Sequence, residues 1–300
     1  MRILVTGYRG FIGSHLTREL TEHGHDVVGV DMVANPAHDL RLEGVADDVI
    51  LHSDAEVVVH LAARVGRLFG EDHLTDTVVD NAGMTALVAR ATAAAGARLV
   101  YASTSEVYGD NDERVCHEHT GPFTLPHNIY GLSKFWGEQV AALYAPYRLT
   151  ILRFSMPYGP GLPAGRGRAA LINMLWQALR GEPIIVHRGA ERSWCWIGDT
   201  VEAARLAIES GDGPYNVGRD DNAIPMMHVA EMACDLVGAP HGLIHVVEPP
   251  GKQTVVKRLG TDRIRALGWT PEVSLDEGMA RTLEWVKTLG DDGLPRQEGM

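Results

Sequence analysis

The stretch Met1-Arg2-Ile3-Leu4-Val5-Thr6-Gly7-Tyr8-Arg9-Gly10-Phe11-Ile12-Gly13 decides the fold. Ile3 to Val5 reads as a buried strand. From Phe11 to His23, Ile12, Leu16 and Leu20 recur at i, i+4 and i+8, which is one face of a helix. The three glycines therefore stand where a strand turns into a helix. Such a turn has no room for side chains if backbone amides are to approach an anion, and the helix N-terminus favours negative charge. Val27 to Val30 reads as the next strand and ends at Asp31. A carboxylate there suits the two hydroxyls of an adenosine ribose and repels a 2′-phosphate. NAD is expected as the cofactor in preference to NADP.

The rhythm continues outward from this point. Glu56 to Leu61, Arg98 to Ser103 and Leu149 to Phe154 read as strands. Asn81 to Ala95 and Tyr130 to Tyr144 read as helices, the first closed by Gly96. Alternation of this kind implies parallel βαβ units with both sheet faces covered. Pro36 to His52 leaves little room for a further strand and helix. After about Pro157 the pattern changes. A patch with Gly159, Pro160, Gly161, Pro163, Gly165 and Gly167 precedes short strands at Ile184 to Val186, Tyr215 to Val217 and Ile244 to Val247. Helical spacing covers Asp199 to Glu209, Met227 to Val237 and Leu275 to Lys287. The expected architecture is α/β: a Rossmann-type doubly wound parallel sheet over residues 1–157, then a smaller α+β substrate lobe over 158–290. Residues 184–210 are expected to return to the first unit, and 291–300 form a polar tail.

Composition excludes several classes. The chain has 300 residues, with 27 Lys+Arg against 39 Asp+Glu and a formal net charge of −12. Without a basic cluster, that balance argues against a nucleic-acid partner. No apolar run approaches the ~20 residues of a membrane span. Cys116, Cys195 and Cys234 stand alone, with no CxxC and no paired Cys/His spacing. Reduced thiols, no metal site and a cytoplasmic location are expected.

The glycine spacing, with Tyr130-Gly131-Leu132-Ser133-Lys134 downstream, resembles the extended short-chain dehydrogenase/reductase family over nearly the whole chain. Leu61-Ala62-Ala63 matches the family's HLAA segment beside the cofactor, and Asn81 matches a helix asparagine that supports the active-site backbone. Ser103-Thr104-Ser105-Glu106-Val107-Tyr108-Gly109 resembles the SS/TxxVYG strand end of its nucleotide-sugar epimerases, dehydratases and decarboxylases. Arg153 through Tyr158-Gly159-Pro160 is similar to RxxNxYGP, and Arg192-Ser193-Trp194 with Asp199 to RxFxxVxD. Leu267-Gly268-Trp269-Thr270-Pro271 and Leu275-Asp276-Glu277-Gly278 resemble the LGWxPxxxLxEG ending. The resemblance implies NAD held by Gly7, Gly10, Phe11, Ile12, Gly13 and Asp31, with Asp39 and Leu40 on the adenine side. Leu61, Ala62, Ala63, Asn81, Ser103, Tyr130 and Lys134 complete that set.

Thr104, Tyr130 and Lys134 are the implied catalytic set. Tyr130 and Lys134 are four apart and share a helix face. An ammonium beside a phenol stabilises the phenolate, so Tyr130 can take a hydroxyl proton, while Thr104 holds the oxygen. Glu106 is a further acid/base candidate or a substrate contact. Relatives that dehydrate across C5–C6 carry Asp-Glu after the threonine; Ser105 stands at the aspartate position here and lowers support for that reaction. The Thr-Ser-Glu triplet is similar to enzymes that handle UDP-glucuronate and to some epimerases.

Arg192 and Arg258 are candidates for a substrate diphosphate, with a surface salt bridge as the competing reading for Arg258. Arg64, with Arg67 beyond it, is a candidate for a sugar carboxylate. Met156 replaces the family's substrate-contacting asparagine, and methionine donates no hydrogen bond. Trp194 and Trp196 read as core packing. A nucleotide-sugar epimerase that oxidises and re-reduces its substrate is the leading expectation. A decarboxylase or dehydratase using the same 4-keto intermediate is the alternative, and a non-catalytic NAD-binding protein is a third. Relatives dimerise through a four-helix bundle. A homodimer is expected here through Tyr130 to Tyr144 and Asn81 to Ala95, with Ala86, Ala89, Ala141 and Ala142 outward.

Overall fold

The structure is a computed structural model that describes residues 1–111, 114–120, 124–162, 169–220, 223–249 and 256–289. Pro163, Gly165 and Gly167 of the glycine- and proline-rich patch and the expected 291–300 tail lie outside these residues.

Six parallel strands form the central sheet: β1 (Arg2–Thr6), β2 (Asp26–Val30), β3 (Val57–His60), β4 (Arg98–Thr104), β6 (Leu149–Phe154) and β11 (Gly213–Val217). Their order is β11-β6-β4-β3-β1-β2. The order reverses between β1 and β3, and the carboxyl ends of those strands open a crevice there. Val57, Val58 and Val59 are buried at 0–2% exposure, so both faces of β3 are covered. One face packs under α1 (Phe11–Glu22) and α8 (Ile197–Ser210); the other packs under α2 (Val45–Leu51), α5 (Met84–Ala94) and α6 (Ile129–Tyr144). Each of these buried aliphatic side chains contributes about 1.5–3 kcal/mol.

Two expectations change here. The span Pro36 to His52 does hold a helix, the seven-residue α2, preceded by a single 3-10 turn at Pro36–His38. Tyr215 to Val217 belongs to the central sheet, paired with β6. The chain therefore returns to the first unit over α8 and β11, while Ile184–His187 stays with the lobe. Tyr215 and Val217 are both buried, which a lobe-surface strand would not require.

The lobe is built on four two-stranded pairs. These are β5 (Val115–Cys116) with β14 (Arg258–Leu259), β7 (Pro157–Tyr158) with β10 (Cys195–Trp196), β8 (Ile184–His187) with β13 (Ile244–Val247), and β9 (Glu191–Arg192) with β12 (Ile224–Pro225). Helices α7 (Ala170–Arg180), α9 (Met226–Val237) and α11 (Leu275–Thr288) enclose a second core with Tyr158, Trp194 and Val229. Trp194 is buried there and Trp196 packs against it, as expected for core residues. The short α10 (Asp262–Arg265) packs on α8 beside Trp269.

The helix expected from Asn81 starts earlier and contains an irregular turn. Short helices α3 (Arg67–Asp72) and α4 (Leu74–Val78) lead into a wide π-turn at Val79–Gly83, and α5 follows directly. Ala89 and Ala141 do not face outward. Both are fully buried in the core under the sheet, because α5 and α6 lie side by side on that face. Ala142 is exposed, as are Trp136, Leu143 and Tyr144 of α6.

Helix α6 sits unusually close to β4. A Cβ added at Gly137 would collide with the Tyr101 hydroxyl, which donates to the Lys134 carbonyl oxygen at 3.4 Å. Gly137→Ala is therefore expected to cost about 1–3 kcal/mol by overpacking. Thermal melts should show the loss, and adding Tyr101→Phe should recover part of it by removing the clashing oxygen.

Candidate active site

The glycine loop connects β1 to α1. Gly7 has φ of +71°, and a Cβ there would stand 2.7 Å from the Ala62 backbone nitrogen. A Cβ at Gly13 would strike the Gly7 carbonyl. These two positions let helix, strand and the chain leaving β3 meet without side chains between them. Gly10 caps α1, and no side chain caps its amides. The bare cradle and the positive end of α1 suit a pyrophosphate. Asp31 follows β2 and accepts from the Arg9 and Val33 amides at 3.1 and 2.9 Å. Asp39 holds Arg41 with two 2.7 Å contacts, and Arg41 also reaches Asp80. Leu40 is buried against α2.

The π-turn directs two side chains at the loop after β3. Asn81 accepts from the Arg64 amide at 2.8 Å and donates to the Arg64 carbonyl at 2.9 Å. Its amide also donates to Ser133 Oγ on α6 at 2.9 Å. Asp80 pairs with the Arg64 guanidinium, which also lies over the Phe69 ring. Arg64 thus anchors the segment after Ala62 and Ala63 to this turn. Arg67, beginning α3, is the nearby guanidinium whose charge reaches Arg192 and Lys257.

Asn128 caps α6 by accepting from the Gly131 amide at 2.8 Å. This helix places Tyr130, Lys134 and Glu138 along one face. Lys134 is fully buried with its ammonium 4.4 Å from the centre of the Tyr101 ring. Burial drives it down to about 7, against the pull of Glu138 one turn on. His60, behind it, bonds Thr6 Oγ1 at 2.8 Å. Burial and the Lys134 charge push His60 down to about 3, so it stays neutral.

Thr104 ends β4, and its hydroxyl accepts from the Glu106 amide at 3.3 Å. Among the described residues its O–H has no acceptor. Ser103 points the other way and donates to Glu138 at 2.5 Å.

Sequence reasoning missed the partner of Glu106. Lys257, next to the nominated Arg258, forms an ion pair with the Glu106 carboxylate. Asn128 donates to the second oxygen at 3.0 Å. Gly131 makes the approach possible, since a Cβ there would lie 2.9 Å from Glu106 Cβ. Burial alone would raise Glu106, but Lys257, Arg192 and Asn128 outweigh it and hold the carboxyl at about 2. Burial pushes Lys257 down, Glu106 opposes this, and Arg192 and Arg67 add to it. Arg192 is itself lowered, chiefly by burial. Arg258 pairs with Glu191 at 3.3 Å and is 43% exposed, which matches the salt-bridge reading. Ser105 is buried and lines a small crevice with Tyr108, Cys116 and Lys257. Met156 has φ of +41°, a left-handed backbone that favours asparagine or glycine over methionine. Its side chain packs on the lobe core. Only the N-cap pattern of Asn128 was available to flag that residue, and a lone lysine gave no flag for Lys257.

The pair has a measurable pH signature. Glu106 lies below its unfolded value, so its contribution is present above that value and fades as pH falls toward about 2. Lys257→Met should cost about 3–5 kcal/mol at neutral pH by stranding a buried carboxylate. In urea melts the gap to the wild type should narrow as pH is lowered below ~4.5.

The NAD-dependent epimerase/dehydratase family model matches residues 3–218. UDP-glucuronic acid decarboxylase 6 of Arabidopsis thaliana is 31% identical, covering 93% of this chain and 87% of that protein. A probable UDP-glucuronate 4-epimerase of Rhizobium meliloti is 29% identical, covering 95% and 96%. The solved structure of MoeE5 in complex with UDP-glucuronic acid and NAD superposes with a TM-score of 0.84 at 29% identity, covering 96% of this chain and 100% of that one. Among the described residues, no helix is long and apolar enough to cross a membrane. The glycine cradle fits NAD, the cofactor in that solved structure, and the chain belongs to the NAD-dependent epimerase/dehydratase family.

Proposed function

We propose that the protein acts on a nucleoside-diphosphate hexuronate of the UDP-glucuronate type, through a transient ketone at C4, and that the net reaction is decarboxylation. The observation that carries this reading is the cluster around Glu106. The charges of Lys257 and Arg192 both reach the Glu106 carboxylate, and Arg67 lies near enough to act on those two cations, so positive charge is concentrated at one end of the site. A sugar that carries a carboxylate suits such an end. The names of the relatives support the same substrate: both the decarboxylase and the 4-epimerase are named for UDP-glucuronate.

When bound, NAD supplies a hydride acceptor. Thr104 would donate to the C4 oxygen and Tyr130 would take its proton. Lys134 keeps the phenolate accessible. A C4 ketone makes the neighbouring carboxylate that of a β-keto acid. The carbon–carbon bond electrons would then flow into the carbonyl as CO2 leaves, a proton from solvent would restore C5, and Tyr130 would return its proton to the C4 oxygen as the ketone is reduced again. Ser105 does not replace the aspartate that protonates a C6 hydroxyl in 4,6-dehydratases, and ionised Glu106 has no proton to give, so the site disfavours 4,6-dehydration. The same observation favours a second reading. Decarboxylation must return a proton to C5, whereas 4-epimerisation of the uronate needs no acid at Glu106.

Incubation with UDP-glucuronate and NMR of the products decides between them. CO2 release with a pentose product supports decarboxylation; a retained carboxylate with C4 inverted establishes the epimerase. No turnover of any uronate, with turnover of a neutral UDP-sugar, refutes the substrate proposal. Tyr130→Phe should lower turnover about 10²–10⁴-fold while NAD remains bound.

We also propose a homodimer through the outer face of α6, where Trp136, Leu143 and Tyr144 are 41%, 75% and 40% exposed. Light scattering should report twice the chain mass for the wild type, and the chain mass for Trp136→Glu/Leu143→Glu.

A further inference from the structure

We propose that Glu138 is a positioning residue for the Tyr130–Lys134 pair: its carboxylate sets the negative charge that reaches Lys134, and Arg153 tempers that charge from the far side. The proposal rests on the reading of Tyr130 as the proton-transfer group.

Glu138 is 2% exposed and lies one helical turn beyond Lys134, two beyond Tyr130. Its Oε1 accepts from Ser103 Oγ at 2.5 Å and from Arg153 Nε at 2.9 Å, and its Oε2 accepts from Arg153 Nη2 at 2.7 Å. Ser103 immediately precedes Thr104. The carboxylate therefore ties the strand end that carries Thr104 to the helix that carries Tyr130 and Lys134. Arg153 is held in turn on β6. Its Nη1 donates to the Tyr108 hydroxyl at 2.9 Å, and Tyr108 donates to Asn216 at 2.7 Å. Five polar groups are thus fixed in the core under the catalytic helix. Burying an ion pair is a poor route to stability, because desolvation cancels most of the attraction. The arrangement makes sense as a device that acts on a neighbour.

That neighbour is Lys134. The titratable and charged groups around it are Tyr130 and Glu138 on α6, Tyr101 on β4, His60 on β3 and, behind Glu138, Arg153 on β6. Burial keeps Tyr101 a phenol and His60 a neutral imidazole. Glu138 is the one permanent anion of this group. Among the described residues, no carboxylate forms an ion pair with Lys134 itself, so Glu138 acts at a distance. A contact ion pair would hold Lys134 rigidly and shield Tyr130 from it. A carboxylate one turn away favours the Lys134 cation without pairing with it. Arg153, by neutralising part of the carboxylate, keeps this support from becoming a trap.

The test reads Tyr130 directly and needs no substrate. The NAD-loaded protein is titrated in the ultraviolet tyrosinate band, and the Tyr130→Phe titration is subtracted to isolate Tyr130. Glu138→Gln leaves Arg153 unbalanced and weakens the Lys134 cation. Tyr130 should then ionise about one pH unit higher or more. Glu138→Asp keeps the charge and should stay within a few tenths of a unit of the wild type. Glu138→Gln/Arg153→Met removes both charges and should fold even if the single variant does not. Tyr130 should again move up, by less than in Glu138→Gln. A folded, NAD-binding Glu138→Gln or double variant whose Tyr130 titrates at or below the wild-type pH overturns the proposal. That result leaves the uronate reading intact, since product analysis decides that separately.

Discussion

Nothing larger than a hydrogen atom fits between Gly7 and the chain that leaves β3. This one close approach governs the rest of the site. It brings the loop after β1, the start of α1 and the Leu61-Ala62-Ala63 segment to the reversal of strand order, where parallel strands leave a crevice at their carboxyl ends. Every further element of the site is placed relative to that crevice. The π-turn locks the segment after β3, α6 packs on β4, and Lys257 of the lobe meets Glu106. The distant parts of the site come together because each is fixed to a backbone that meets this narrow point.

The site has two electrostatic halves with different logic. Around Lys134 the surroundings are aromatic and neutral, apart from a carboxylate already shared with Arg153. A single charge there acts strongly because little competes with it. Around Glu106 the surroundings are crowded with charge, drawn from α3, β9 and the residue before β14. Val256 bridges Glu191, and Ser193 donates to the Lys257 carbonyl at 3.1 Å, so that lysine is held by the lobe's own strands.

Much of this was legible in the sequence, and the exceptions share a cause. The Ile3 to Val5 strand, the glycine spacing and the Ile12, Leu16, Leu20 face are local patterns, and local patterns survive folding. So does the four-residue step from Tyr130 to Lys134. Lys257 gave no such signal: it meets Glu106 at a sequence separation of 151, through a ladder that periodicity cannot reveal. Arg64 and Arg258 looked like ligands because composition shows a cation and not its partner; Asp80 and Glu191 supply those partners. Ala89 and Ala141 looked external because small residues read the same in a helix interface and in a tight core. Tyr215 to Val217 follows the change in rhythm and so reads as part of the lobe, yet its successive residues Tyr215, Asn216 and Val217 are buried on both faces of the sheet.

The wide turn at Val79–Gly83 has a consequence for how this helix tolerates change. A π-turn contains one more residue than an α-turn. Deleting any one residue there would restore regular helical hydrogen bonding, but it would swing everything beyond it by about 100°. Either Asp80 and Asn81 would leave the loop after β3, or Val88 and Ala91 would leave the core. Local regularity and the two-sided fit of this helix are therefore incompatible. The irregular turn is the joint that lets one continuous helix satisfy two differently phased surfaces.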